Sequence, residues 1–359
     1  MLARQPFDFF IQWHLSEQCN LRCTHCYQSG TCENEVPFSE IRRVIKDVKE
    51  MVEAWEDAYG LSFALSYNIT GGEPFLRADL FDVLREIRDN RGETYLLTNG
   101  TLITPDKAQE VAAHGVQGVQ VSMEGPEKIH DQIRGRGSFS KALRGVEYLL
   151  QAGITVTLNA TLSRINGDYL IDFANLASKL GAQRLGFSRL VPAGRGSGLI
   201  AEMLEASEVK RLYETAFSLH VPGLQIVTGD PIASQLSEDG AEDLGPTPVG
   251  GCAAGVSGLT FLPDGTITPC RRLPIPIGNI RTDSLREIWA TSNVLNLLRD
   301  RSAYQGKCGQ CVRWANCRGC RAIACAYARS KGRDDFLADD PQCFIKQCEG
   351  SSVKGRVRG

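Results

Sequence analysis

Cys19, Cys23 and Cys26 fall within eight residues, in the stretch CNLRCTHCY. Three thiolates at this spacing can wrap one iron–sulfur cubane and ligate three of its irons. A four-iron cluster normally takes four cysteines, so a loop that supplies three leaves one iron open to an exogenous ligand. Cys32 is the next thiol, but it stands beyond Ser29-Gly30, in a different local segment. The same spacing also suits a structural zinc ion, with His25 as a fourth ligand. Spacing alone leaves both metals open.

The chain has thirteen cysteines in 359 residues, and they lie in two groups. Four are at 19, 23, 26 and 32; nine are at 252, 270, 308, 311, 317, 320, 325, 343 and 348. A disulfide framework belongs to small secreted chains. This chain is large, opens without an export signal and carries an odd cysteine count, which points to metal in a reducing compartment. No apolar run approaches a membrane span. The formal charge of -2 exerts no global pull on nucleic acid or membrane. A cytoplasmic monomer with neither of those partners is expected. The length suffices for one large domain and a smaller one.

The body between the two groups alternates strand and helix. Strands are expected at 9–16, 61–70, 93–100, 118–125, 155–163 and 184–191. Helices are expected at 41–59, 75–90, 105–115, 140–153, 169–181 and 207–220. Six such units predict parallel strands with right-handed crossovers, and both a doubly wound and a barrel-like sheet fit. The notable residues follow strand ends, where α/β proteins place their sites. The cysteine loop follows the first strand and Gly71-Gly72-Glu73-Pro74 the second. Thr98-Asn99-Gly100 closes the third, and Ser122-Met123-Glu124-Gly125-Pro126 the fourth. Residues 1–221 read as the core, 222–250 as a linker rich in Gly, Pro and acid, 251–348 as a cysteine-rich domain and 349–359 as a basic tail.

These motifs together resemble the radical S-adenosylmethionine (SAM) enzymes, over roughly residues 8–200. The resemblance implies a partial (β/α)6 barrel of TIM type. It implies that Cys19, Cys23 and Cys26 hold a [4Fe-4S] cluster whose open iron takes the methionine end of SAM. Gly71, Gly72, Glu73 and Pro74 would meet the methionine amine. Ser122 and Arg134 match positions that contact the ribose or carboxylate, and Thr98 and Asn99 end their strand as in many members. Asn159 and Arg189, near the ends of strands five and six, read either as facing the SAM pocket or as ordinary strand polarity. Two departures are His25, where an aromatic is usual, and Glu124, where Asp is commoner. The implied chemistry is reductive cleavage of SAM to a 5′-deoxyadenosyl radical, with electrons from a flavodoxin- or ferredoxin-type donor. No residue is identified as a catalytic base.

The second cysteine group runs Cys252-x12-Gly265-x4-Cys270, then Cys308-x2-Cys311-x5-Cys317-x2-Cys320, then Cys343. Over about 250–345 it resembles the SPASM domain of peptide- and protein-modifying radical SAM enzymes. That implies two auxiliary clusters, hence three [4Fe-4S] clusters in all. By position, Cys308, Cys311, Cys317 and Cys343 would hold one; Cys252, Cys270 and Cys320 would hold the other, one thiolate short. Cys325 or a substrate thiol can complete it. The x2 spacing before Cys320 departs from the commoner x3, and on spacing alone two zinc ribbons also fit. Cys32, Cys325 and Cys348 read as unligated, and His14, His114, His130 and His220 as packing or surface residues. Gly194 and Gly196 read as a tight turn or as room for adenine or substrate.

The function so implied is modification of a ribosomally made peptide: a thioether, a carbon–carbon crosslink or a related rearrangement. With about eight residues ahead of the first strand, leader binding falls to the core, the SPASM segment or a separate protein. An alternative is a small-molecule enzyme on a haem-like or quinone-like pathway. A sulfatase maturase is disfavoured, because Arg271 and Arg272 follow Cys270 where that family has an acid. A zinc-binding scaffold is the non-enzyme alternative.

Overall fold

The computed structural model describes residues 6–28, 34–237 and 243–345. Its centre is strand β1 (Phe7–His14), where Phe9, Ile11 and Trp13 are buried and Gln12 and His14 are buried between them. A strand covered on both faces belongs inside a parallel sheet. The expected strands follow as β2 (Phe63–Thr70), β3 (Glu93–Thr98), β4 (Gly118–Ser122), β5 (Val156–Leu162) and β6 (Arg184–Arg189). Each pairs in parallel with the one before. Helices α1 (Phe38–Tyr59), α2 (Leu80–Asp89) and α3 (Pro105–Ala113) connect the first four. Consecutive strands as neighbours, without a reversal of order, make this a barrel-type winding rather than a doubly wound one. The sheet does not close: it is a partial barrel.

Two features lie in the segments expected at 222–250 and 251–348. The segment read as a linker carries a seventh parallel strand, β7 (Gln225–Val227), against β6, and a 3₁₀ turn at Pro231–Leu236 with Ile232 fully buried. A three-residue strand among Gly, Pro and acidic residues leaves no periodic signal. The cysteine-rich segment is also not a separate layer. Its strand β8 (Gly258–Phe261) pairs in parallel with β1, and β9 (Thr266–Thr268) and β10 (Gly278–Asn279) extend that edge antiparallel. One ten-stranded sheet runs through both regions. A short helix missed in the sequence, α4 (Glu127–Arg134), follows β4 and carries Arg134 at its end.

His14 and His130 are each about 1 % exposed. Burial pushes the His14 imidazole down to about 3 and His130 to about 4, from 6.5. Below pH 6.5 the unfolded chain takes up protons that the fold refuses, so stability falls as pH drops from 6.5 toward 4. Thermal unfolding midpoints should hold level between pH 6.5 and 8 and decline below; a level profile down to pH 4.5 would contradict this account.

Candidate active site

The loop after β1 places Cys19, Cys23 and Cys26 on one cavity of about 250 Å³, lined also by the ends of β2 to β6. The thiols have N–H donors. Leu21 N–H reaches Cys19 Sγ at 3.4 Å, Asn99 Nδ2 reaches it at 3.9 Å, and Arg134 Nη1 reaches Cys23 Sγ at 3.7 Å. Burial raises both thiol pKa values, and at Cys23 the Arg134 charge opposes that rise. Such donors and charge suit thiolates bound to iron. His25, the fourth ligand of the zinc reading, turns instead to Glu124, with Nε2 at 3.3 Å from Oε1. Among the described residues no three His, Cys, Asp or Glu side chains close on a single metal ion.

The glycine pair after β2 is required by close approach. Gly72 N–H donates to Ser16 O at 2.7 Å and Glu73 N–H to Gln18 O at 2.8 Å. A Cβ on Gly71 would strike the Ser16 carbonyl, and one on Gly72 the Gln18 carbonyl. The pair therefore holds the chain just before Cys19. Gly71, Gly72, Thr98 and Asn99 line the cavity. Glu73 lies behind that wall, fully buried. Its carboxylate accepts from Thr98 Oγ1 at 2.7 Å, Asn99 N at 2.9 Å and Phe75 N at 3.2 Å. It joins the loops after β2 and β3 rather than facing the cavity, and Pro74 starts the 3₁₀ turn behind it.

Glu124 is the opposite anchor. Its Oε1 accepts from Arg134 Nε at 2.9 Å, and its Oε2 from Thr161 N at 2.9 Å. Burial alone would push this carboxyl up, but Arg134 and then His25 more than reverse it and hold it well below the usual range. Arg134 in turn faces Cys23, so Glu124 orients the cation beside the cysteine loop. Ser122 and Asn159 line the cavity, as do Gln120, Thr161 and Ser188, which sequence reading missed. Their signal was polar residues at alternate positions of otherwise apolar strands.

Arg189 borders the cavity, but its guanidinium is committed elsewhere. It donates to Asp230 at 2.6 and 2.9 Å, to Asp340 at 2.9 and 2.8 Å, and to Gln342 at 2.8 Å, all buried. It ties β6 to the cysteine-rich segment. Gly194 and Gly196 approach the cysteine loop itself: Cβ atoms there would meet Tyr27 and His25 backbone, and Gly196 N–H donates to Cys26 O at 3.1 Å. The rest of the wall includes Tyr27, Gln28, Glu17, apolar Leu21, Leu97 and Val191, and four arginines: Arg22, Arg195, Arg271 and Arg272.

In the second group, Gln235 Nε2 lies 3.7 Å from Cys317 Sγ and 3.3 Å from Cys343 Sγ, bringing those two thiols to one donor. Cys252 N–H donates to Cys317 O at 3.1 Å, and Cys320 N–H to Asp340 at 2.8 Å. Burial pushes Cys308 and Cys320 up to about 12 and Cys317 to about 11. Cys325 packs with Cys320, Leu190, Val191 and Ile323 in an apolar cluster. Cys32 and Cys348, with the tail at 349–359, lie outside the described residues.

Residues 13–177 match the model of the radical SAM superfamily, and residues 252–321 match that of SPASM, an iron-sulfur cluster-binding domain. The AdoMet-dependent heme synthase of Methanosarcina barkeri is 32 % identical over 361 residues, covering 96 % of this chain and 99 % of its own. The chain belongs to the radical SAM enzymes with a SPASM domain. The mycofactocin maturase of Mycobacterium tuberculosis is 30 % identical over 358 residues, covering 96 % of this radical SAM chain and 85 % of its own. The Streptococcus suis SuiB structure bound to S-adenosylmethionine shares the fold, with TM-score 0.71 at 17 % identity over 94 % of this chain and 76 % of that one. SAM and iron–sulfur clusters are thus the cofactors of this enzyme, and the cysteine loop and cavity fit them. No helix among the described residues is long and apolar enough to cross a membrane.

Proposed function

We propose that this enzyme installs a modification in a ribosomally made peptide, using three [4Fe-4S] clusters. Cys19, Cys23 and Cys26 would hold the cluster that meets SAM; the seven SPASM cysteines would hold two more. When bound, SAM and its cluster supply a 5′-deoxyadenosyl radical that takes a hydrogen atom from the substrate. The chain's own part is to orient and enclose. Ser122 on β4, Asn159 on β5 and Arg134 at the end of α4 offer polar contacts, while the 192–196 turn and the glycine pair brace the loop from either side.

The observation that carries the peptide reading is the character of the cavity wall. It carries many polar and charged groups, among them Gln28, Gln120, Asn159, Thr161, Ser188, Arg195, Arg271 and Arg272, beside apolar Leu21, Leu97 and Val191. Sites for small apolar ligands are lined mainly by hydrophobic and aromatic side chains. A peptide backbone, with a donor and an acceptor at each residue, matches this wall better than a macrocycle face. Arg272 lines the cavity near Cys270 and Cys320, and its buried Nε has no hydrogen-bond partner, which supports a place for an anionic group beside it. A haem-like substrate is the second reading. The heme synthase relative favours it, and the arginines would equally hold its carboxylates.

The test is 5′-deoxyadenosine formation by the anaerobically reconstituted protein. Short peptides encoded beside its gene should stimulate formation above the substrate-free rate, and a carboxylated porphyrin should not. The reverse pattern would establish the second reading. Arg272→Met should lower kcat/KM roughly tenfold to hundredfold, the loss expected for one charge-assisted hydrogen bond of about 1.5–3 kcal/mol. An unchanged value would remove Arg272 from substrate binding.

A further inference from the structure

We propose that Gln235 sets the reduction potential of the auxiliary site formed by Cys308, Cys311, Cys317 and Cys343. The inference rests on the reading that these four thiolates hold a cluster. Gln235 lies outside the seven-cysteine motif, in the segment that its composition marks as a linker. Its amide donates to two of the four sulfurs, at 3.3 Å to Cys343 and 3.7 Å to Cys317. The amide orientation is fixed from the other side, because Oε1 accepts from Phe344 N–H at 3.2 Å. Nitrogen must therefore face the thiols.

The side chain is held there from the barrel. Gln235 belongs to the turn Pro231–Leu236, capped by Asp230, which accepts from Ile232 N at 3.2 Å. Asp230 is clamped by Arg189 and by Tyr213 Oη at 2.9 Å. Arg313 Nη1 donates to Ser234 O at 2.7 Å and fixes the turn against the SPASM segment. A donor delivered by so many independent contacts keeps its place when the cluster changes charge.

Two further donors reach the same cysteines. Gly319 N–H points to Cys317 Sγ at 3.4 Å, and Arg321 Nη2 to Cys308 Sγ at 3.7 Å. N–H···S hydrogen bonds draw charge off the thiolates and stabilise the reduced cluster, which carries one more electron, over the oxidised one. They raise its potential. This site is thereby made the better acceptor for an electron leaving the substrate radical. Gln235 is a positioning residue in this scheme, acting through two ligands and not on substrate.

The test uses the full chain, reconstituted anaerobically and without substrate. Gln235→Glu keeps an acceptor for Phe344 N–H but replaces the donor with an anion; Gln235→Leu removes both contacts. Iron and sulfide are counted, and an EPR-monitored redox titration reads each cluster. The expected result is unchanged iron content and an unchanged SAM-site signal, with one auxiliary signal moved to more negative potential, further in the Glu variant. Unchanged potentials at full iron content would overturn the proposal. So would loss of about four irons, one cluster, in both variants, since Gln235 would then hold the cluster and not tune it. A wild-type protein with only about four irons would overturn the auxiliary-cluster assignment, and this proposal with it. No substrate enters the experiment, so its outcome is independent of the choice between peptide and haem-like substrates.

Discussion

Replacing Cys19, Cys23 and Cys26 together with Ala is expected to abolish 5′-deoxyadenosine formation and, if three clusters are present, to remove about four of about twelve irons, given four irons to a cluster. The three thiols share one cavity with Gly71, Gly72, Thr98 and Asn99, and Arg134 faces Cys23. No other cysteine lines that wall among the described residues. The SPASM cysteines sit on other elements, so their clusters should survive with their spectra intact. Iron and sulfide analysis beside a SAM-cleavage assay measures both halves. Retained cleavage in the triple variant would remove the cysteine loop from the chemistry. Loss of nearly all iron would mean that the loop supports the whole fold. Zinc with little iron in the wild type would contradict the cofactor assignment outright.

Replacing Arg189 with Met is expected to destabilise the protein by about 3–5 kcal/mol, the usual cost of breaking a buried ion pair from one side. Arg189 is fully buried and stands between two buried carboxylates, Asp230 and Asp340. Its loss leaves both without their cation. Burial alone pushes Asp340 up, and Arg189 reverses that and holds it low. Without Arg189 an orphaned carboxylate takes up a proton in the folded state sooner than in the unfolded chain, so the variant's deficit against the parent should narrow as pH falls toward the carboxylate range. Urea unfolding monitored by tryptophan fluorescence gives the energy. Pairing the change with Asp230→Asn should recover part of it, because one uncompensated charge is then gone. A loss below about 1 kcal/mol, the scale of an exposed pair, would show that water reaches the network.

Much of this site could be read from the chain because its chemistry is written in short runs at strand ends. The cysteine triplet, the glycine pair and Thr98-Asn99 each lie within one loop, and the alternation of strand and helix placed those loops at one end of one sheet. What escaped was whatever depends on distant partners. Arg189 was visible as a polar residue closing β6, but its acids lie 41 and 151 positions further on. No local pattern distinguishes a cation bound for a pocket from one bound for a buried network. Glu73 reads as a cofactor contact from its motif, yet its carboxylate is surrounded by donors from the neighbouring strand end. Gln120, Thr161 and Ser188 needed the pleat of the sheet to show which side they face. Gln235 needed the fold entirely, since a glutamine in a polar segment carries no signal.

The pairing of β8 with β1 has a consequence for how the two halves can be handled. A chain ended at residue 250 would leave one side of β1 without its ladder partner, and β1 is the apolar centre of the sheet. Bare strand edges of that kind invite pairing with other chains. The SAM-binding half and the cysteine-rich segment therefore share one sheet. The partner of the first strand on that side is supplied some two hundred and fifty residues later, so synthesis must pass residue 261 of 359 before that edge can be covered. Exchange of this SPASM segment for that of a relative would have to preserve the register of Phe10 with Gly258 and Trp13 with Phe261, not only the cysteines.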